Sequence, residues 1–518
     1  MSVLLLALPF LALQGQQVER YGLLTLRGND TVAVESVTRR SGEVVSQVFV
    51  PNRARLSVTA VLTPGGCVTE LTQDVFPWGS GADATPLRHV RVRLDGDSVR
   101  VDARAGDLAR TVALPAPGAE FLLAEDGMGV AAQIVECALS RGDSVDLAVV
   151  ANPGARLITV PVRRHGSQVT LVTSDTVRVE LGPGGSPSRI EVGRGGRVVL
   201  RVPVESLSRG AEPARDYGPP PGAPYAAESV SIPVTEGVTL AGTLTLPREG
   251  APFPSVVLVS GSGPQDRDCY APIGDGWRPF REIADELSSR GVAVLRYDDR
   301  GVGSSTGDFA AGTERTEADD AEAAVAYLRG RPDVDARRVA VLGHSEGARV
   351  AMLVGAEDEG LAALVLMAGA ADPRAAARAQ ALWALEHDPA AAGLSRDSVM
   401  AVVDRQMDEL AATGRREVFR WDAAALARAT SAPVAIFQGA TDRQVPADQA
   451  EALARVFREA GNLDVTVRIF RGVNHLFVRD ESGDFLRYGD LRSGRVDPTV
   501  LGAVGEWLTA KLGVSTPR

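Results

Sequence analysis

Lysine is almost absent from this chain: Lys511, near the C-terminus, is the only one in 518 residues, although lysine and arginine together number 55. That removes three chemistries at once. There is no lysine for a Schiff base, none for a Ser–Lys dyad, and none for a phosphate loop of the G-x-x-x-x-G-K type. Acidic residues number 66, so the formal net charge is −11; this speaks against nucleic acid, whose phosphates need a basic face. Cysteine is scarce too. Cys67, Cys137 and Cys269 are too few for a disulfide scaffold and permit one bridge, with Cys67–Cys137 the candidate pair and one thiol left over. The sequence has no H-E-x-x-H, no paired-cysteine metal spacing and no G-x-G-x-x-G after a strand, so neither a metal nor another cofactor is expected. Long apolar runs are missing beyond the N-terminus, and no membrane span is expected.

The one apolar run opens the chain, "MSVLLLALPFLALQGQQ". It is broken by Pro9, short for a span, and like the core of a signal peptide, although it lacks the usual basic start. Residues 1–17 are therefore expected to direct a secreted or periplasmic product; a cytoplasmic protein is the alternative. The length favours more than one domain.

Residues 18–207 read as an all-β domain. "HVRVRLDGDSVRVDAR", "SQVTLVTSDTVRVELG" and "SRIEVGRGGRVVLRVPV" alternate apolar and polar residues about short turns, as in a sandwich, barrel or half-barrel. His89 and His165 stand alone among arginines and read as surface residues. The domain is expected to be an accessory module whose partner the sequence does not identify. A Pro- and Gly-rich linker, 208–228, follows.

From 229 the texture changes. After "SVSIPVTEGVTLAGTLTLP", short apolar runs at 255–260, 291–297, 337–343, 361–369, 432–439 and 464–470 alternate with helical patterns near 316–330, 346–356, 447–460 and 497–511. Buried runs separated by helices predict a mostly parallel sheet with helices on both faces. Between about 372 and 430 the strands pause for an Ala- and Arg-rich helical insertion, expected as a cap over the strand ends where ligands bind.

Two stretches fit G-x-S-x-G: "GSSTG", centred on Ser305, and "GHSEG", centred on Ser345. The pattern presents a nucleophile only where a strand runs into a tight turn and then a helix. Ser345 has that setting; Ser305 has loops on both sides. A serine hydroxyl is a weak nucleophile and needs a histidine base that a carboxylate orients. Of five histidines, only His387 and His475 follow Ser345. His387 lies in the helical insertion, which leaves His475, in the loop after the last strand, as the base. Asp442, in "GATDRQVP" at a strand tip, is the expected acid, with Asp372 the runner-up. The oxyanion of an acyl-transfer intermediate needs backbone donors. Those expected are the N–H of Glu346 and one from "SGSGPQDRD" (260–268), Ser262 first, then Gly261 or Gly263. Trp383, Met407, Phe419 and Trp421 are the candidate lining of a substrate pocket under the cap. Cys269, beside the oxyanion loop, reads as a packed thiol, and the acidic run at 316–324 as the solvated face of a helix.

In this order, "GSGPQDRD", "RYDDRGVGSSTG", "GHSEG", "GATDRQVP" and "GVNHLF" resemble the motifs of α/β-hydrolases of the serine aminopeptidase-like (S33) type, and within them EstD-type bacterial carboxylesterases, which also carry an extra N-terminal domain. The resemblance spans roughly 229–513. It implies the α/β-hydrolase fold and a serine carboxylic ester hydrolase with Ser345, Asp442 and His475 as its triad, acting on a small-molecule ester. It also implies that "DDRGVGSS" is a structural loop with Asp298 and Arg300 paired. Ser260 departs from the pattern, because many relatives in the wider superfamily have histidine there. The cap's modest size suggests short to medium acyl chains. Aminopeptidase or thioesterase chemistry on the same triad is the alternative; a binding protein using the hydrolase domain as scaffold is a further one.

Overall fold

A computed structural model describes residues 18–514, apart from 28–29, 51–53, 78–84, 87, 106–107, 125–127, 153–155, 173–175, 194–195, 208–215, 272, 310, 388–394 and 413–421. The proposed leader at 1–17 and the first part of the 208–228 linker lie outside the described residues. The chain divides into two compact units, with the main boundary between Glu212 and Pro213.

In the N-terminal unit, fifteen described strands, from Glu19–Arg27 to Arg197–Val202, form one sheet. Neighbours are antiparallel except Phe121–Ala124 beside Ser144–Asn152. The first strand pairs with the last, Gly22 opposite Val202, and so joins the two arms. Alternate residues of each strand turn to one face, as in Arg88–Asp95, where Val90 and Val92 are buried and their neighbours are more exposed. The sheet curls on itself: both arms contribute to one apolar core, and Phe121–Ala124 packs against Val68–Pro77 of the opposite arm. Two short helices, Met128–Ala131 and Gln133–Leu139, lie against it. A Cys67–Cys137 disulfide ties the second to the start of Val68–Pro77.

The C-terminal unit is built on eight described strands in the order Tyr225–Thr235, Val238–Pro247, Ala293–Tyr297, Phe253–Val259, Val334–His344, Ala363–Met367, Val434–Gly439 and Val465–Phe470. The first two are antiparallel, and from Ala293–Tyr297 onward all are parallel. The central strands are buried on both faces because helices cover both: Glu314–Arg329, Glu346–Glu357 and Asp448–Glu459 join one apolar cluster, Pro279–Ser289 and Pro498–Lys511 the other. Pro279–Ser289 was not among the helices read from sequence.

The insertion forms an antiparallel pair, Pro373–His387 and Arg396–Ala412, cross-linked by Arg374–Asp408 (2.6 Å) and Arg378–Asp404 (2.7 Å). Its last helix, Ala423–Ala429, is part of the body instead, with Ala427 buried in the core beside Glu346–Glu357. Among the described residues, no helix is long and apolar enough to cross a membrane.

Candidate active site

The strand Val334–His344 ends in the middle of the parallel sheet, and Glu346–Glu357 begins one residue later. Ser345 alone makes the reversal, at φ +57° and ψ −115°, a region a non-glycine residue occupies only under strain. Its N–H is held by the Met367 carbonyl at 2.8 Å. The flanking glycines are required by space. A β-carbon on Gly343 would overlap the Gly347 carbonyl, and one on Gly347 would overlap the carbonyls of Val259 and Ser260. Strand, turn and helix can close this tightly only without those side chains. Ser305, at the other match, is occupied differently: its hydroxyl donates to the Asp298 carbonyl (2.7 Å) and accepts from the Ala241 N–H (2.9 Å). It holds a turn.

Ser345, His475 and Asp442 come together at adjoining strand ends. Ser345 Oγ lies 3.0 Å from His475 Nε2, and His475 Nδ1 lies 2.7 Å from Asp442 Oδ2. A carboxylate only accepts, so Nδ1 carries the proton toward Asp442 and Nε2 is left free to accept one from Ser345. Asp442 is fixed in turn. Its Oδ1 accepts from the N–H groups of Gln444 and Val445, both at 2.8 Å, and its Oδ2 from Gln438 Nε2 at 2.8 Å. Asp442 and His475 are 2% and 4% exposed, so their mutual attraction is weakly screened. Asp372 and His387 lie elsewhere. Asp372 accepts from the Ala375 N–H at the start of the cap's first helix (3.0 Å). Exposed His387 bonds the Trp383 carbonyl and stacks on the Trp383 ring, 3.6 Å between centroids.

His344, which precedes the nucleophile, has a role that its sequence context does not show. Its ring is buried against Trp277 and Phe477, and Nε2–H donates to the His475 carbonyl (2.9 Å). Burial first, and then the neighbouring His475 ring, push its pKa down to about 4. It therefore stays neutral near pH 7 and steadies the His475 loop. Trp277 Nε1–H helps by donating to the Leu476 carbonyl (3.0 Å). The adjacency of His344 to Ser345 in "GHSEG" was the available signal.

The loop after Phe253–Val259 lies against this elbow. A β-carbon on Gly261 would be 3.3 Å from Ser345 Cβ and 3.2 Å from the His344 carbonyl. The Gly261 N–H faces the thiol of Cys269, which burial keeps protonated. Ser262 is exposed and Gly263 turns at φ +86°. Glu346, the other expected contributor, is the first residue of its helix, with its side chain buried beside Arg349 (3.3 Å).

Two expectations on neighbouring charges need correction. Asp298 and Arg300 do not pair. Asp298 takes a bidentate ion pair from Arg267 (2.9 and 2.7 Å), while Arg300 reaches the other way to Asp320 (2.8 and 2.7 Å). The tight turn over Gly301 and Gly303, both at positive φ, wraps around the Asp298 carboxylate and directs Arg300 toward the helix Glu314–Arg329. For the same reason the acidic run at 316–324 is not a uniformly solvated face: Asp320 is buried in that ion pair, whereas Asp319 is exposed and bonds Arg315.

Of the candidate pocket residues, Met407 is buried in the cap's second helix and Trp383 is half-buried in its first. The Arg443 guanidinium, next to Asp442, sits 4.8 Å from the Trp383 ring centroid. Phe419 and Trp421 lie outside the described residues.

The family model described as serine aminopeptidase, S33, matches residues 274–482. The chain is 30% identical over 277 residues to Esterase EstD of Thermotoga maritima, an alignment covering 52% of this chain and 65% of EstD. Esterase FrsA of Yersinia pestis is 33% identical over 134 residues, 26% of this chain and 29% of FrsA. Among solved structures, Est1E of Butyrivibrio proteoclasticus with bound ferulic acid aligns at 21% identity and a TM-score of 0.39, over 55% of this chain and 99% of that one. By its sheet order and the family match, the C-terminal unit has the α/β-hydrolase fold and is similar to the S33 type and to EstD.

Proposed function

We propose that the C-terminal unit is a serine carboxylic ester hydrolase working through an acyl-enzyme on Ser345. The observation that carries this reading is the line from Asp442 through His475 to Ser345, at 2.7 and 3.0 Å, ending on a serine strained outward at the end of a central strand. In this mechanism His475 Nε2 takes the proton as Ser345 Oγ attacks the ester carbonyl, and Asp442 stabilises the imidazolium that forms. The N–H of Glu346, at the positive end of its helix, and the N–H of Ser262 receive the oxyanion. Gly261 is the weaker donor because its N–H faces Cys269. His475 then returns the proton to the departing alcohol. Water, activated by the same base, releases the acid.

The cap pair, with Trp383 beside Arg443 next to the triad's Asp442, is proposed to limit the pocket to short and medium acyl chains. The S33 match favours one rival, amide cleavage from a peptide amino terminus. Turnover of p-nitrophenyl esters of graded chain length, set against aminoacyl anilides and acyl thioesters, separates them. Ester turnover with an optimum at or below about eight carbons is expected. Anilide turnover exceeding ester turnover would move the assignment to a peptidase. We also place the protein outside the cytoplasm, since a Cys67–Cys137 bridge persists in oxidising compartments; cell fractionation with an exported marker checks this.

A further inference from the structure

Ser260, where many relatives in the wider superfamily have histidine, begins the loop that carries Ser262, and the structure gives its hydroxyl one partner: Asp299 Oδ1, at 2.6 Å. The other carboxylate oxygen, Oδ2, accepts from the N–H of Gln265 at 2.8 Å. The Asp299 N–H donates back to the Gln265 carbonyl at 3.1 Å. One residue thus holds the loop at position 260 and at position 265, on either side of Ser262. The loop's opposite face is set by the elbow, where Ser260 leaves no room for a β-carbon on Gly347 and Gly261 packs against Ser345.

From this geometry we propose that Asp299 is a positioning residue for the oxyanion donor: it tethers both ends of the 260–265 loop so that the Ser262 N–H is kept in place before the reaction begins. The inference rests on the ester-hydrolase reading and on Ser262 as a donor. An oxyanion donor works only in proportion to how well it is preorganised, and misplacement by about 1 Å can cost on the order of 100-fold in rate. Burial pushes the Asp299 carboxyl well above the usual range, with nearby Glu317 and Asp298 adding to it, against the bonds from Ser260 and Gln265. The tether consists of hydrogen bonds to Ser260 and Gln265. Asparagine can keep it, because its carbonyl can accept from the Gln265 N–H and its amide can donate to the Ser260 hydroxyl.

The test compares Asp299→Ala, Asp299→Asn and Ser260→Ala in the full chain, with rates on p-nitrophenyl butyrate normalised to Ser345 sites counted by complete fluorophosphonate labelling. Asp299→Ala is expected to lower kcat by about 10- to 100-fold with KM within about 2-fold, since the lost interaction belongs to the transition state. Asp299→Asn should recover kcat to within about 3-fold of wild type, as expected for a tether made of hydrogen bonds. Ser260→Ala, which frees one end and leaves the fold intact even if Asp299→Ala does not fold, should lower kcat by about 3- to 10-fold. The proposal is overturned if kcat survives both alanine changes, if asparagine fails to rescue, or if KM rises in step with the loss. Failure of the underlying reading looks different: wild type would hydrolyse no ester, or Ser345→Ala would still turn over.

Discussion

In the N-terminal sheet, Glu35 is the only charged residue that is fully buried among the described residues, and it meets no cation: it accepts the N–H groups of Met128 and Gly129 at 3.0 and 2.8 Å. At the strand ends of the C-terminal sheet, buried charge is dense and, Asp299 apart, largely paired. Arg267 pairs with Asp298, Arg296 with Asp268, Arg300 with Asp320, and His475 with Asp442. The first sheet uses one face for packing and leaves the other to water, so period-two alternation is nearly all it needs. The second is covered on both faces, so its polar groups collect where the strands stop. Burying charge there is costly unless a partner is supplied, so each pair also ties together the segments that carry it.

Breaking the polar line should have the largest effect. Asp442→Asn preserves shape but leaves an amide facing His475 Nδ1, the amides of Gln444 and Val445 and the Gln438 side chain, so the tautomer of His475 is no longer enforced. Its kcat on short esters is expected to fall about 10³- to 10⁴-fold with the fold retained, measured by steady-state kinetics beside circular dichroism. A smaller loss would mean that the acid lies elsewhere.

Glycine substitutions sharpen the comparison through stability. A β-carbon on Gly347 has to displace backbone at the elbow, so Gly347→Ala should cost about 3 kcal/mol in urea unfolding. Gly96, at a hairpin of the N-terminal sheet with φ +60°, has nothing within 4 Å of its added carbon, and Gly96→Ala should cost about 1 kcal/mol, for conformation alone. Equal losses would contradict the reading that contact, beyond conformation, closes the elbow at Gly347.

A pH effect on stability separates the two units as well. Burial pushes the Glu35 carboxyl up from 4.5 to about 7. A raised carboxyl pKa means that the folded unit holds its proton more tightly than the unfolded chain. The resulting stability is fully present below pH 4.5 and is lost as pH rises through 7, roughly 3 kcal/mol in all. Thermal unfolding of Glu35→Gln from pH 4.5 to 8 should lack that decline; a wild-type slope that persists in the variant would place its origin in another group.

Much of the C-terminal unit was legible in the sequence because its information is local. Each buried strand is a short apolar run, Ser345 and Asp442 follow directly on such runs, and with few histidines the base had little competition. What was missed depends on contacts across the chain. Arg300 is two residues from Asp298, yet their partners lie in Glu314–Arg329 and at Arg267, and no spacing reveals that. His344 bonds a carbonyl 131 positions away, and Asp299 reaches a loop 34 to 39 positions earlier. In the N-terminal unit the alternation announced strands but not their order, since the pairing of first with last is a long-range closure.

The central claim is that Ser345 is the attacking group. Fluorophosphonate labelling of the full chain, read by intact mass and peptide mapping, tests it most directly. One adduct per chain is expected, on the peptide containing Ser345, and none in Ser345→Ala. An adduct that persists in Ser345→Ala, or a wild-type chain that takes up no label, would contradict it.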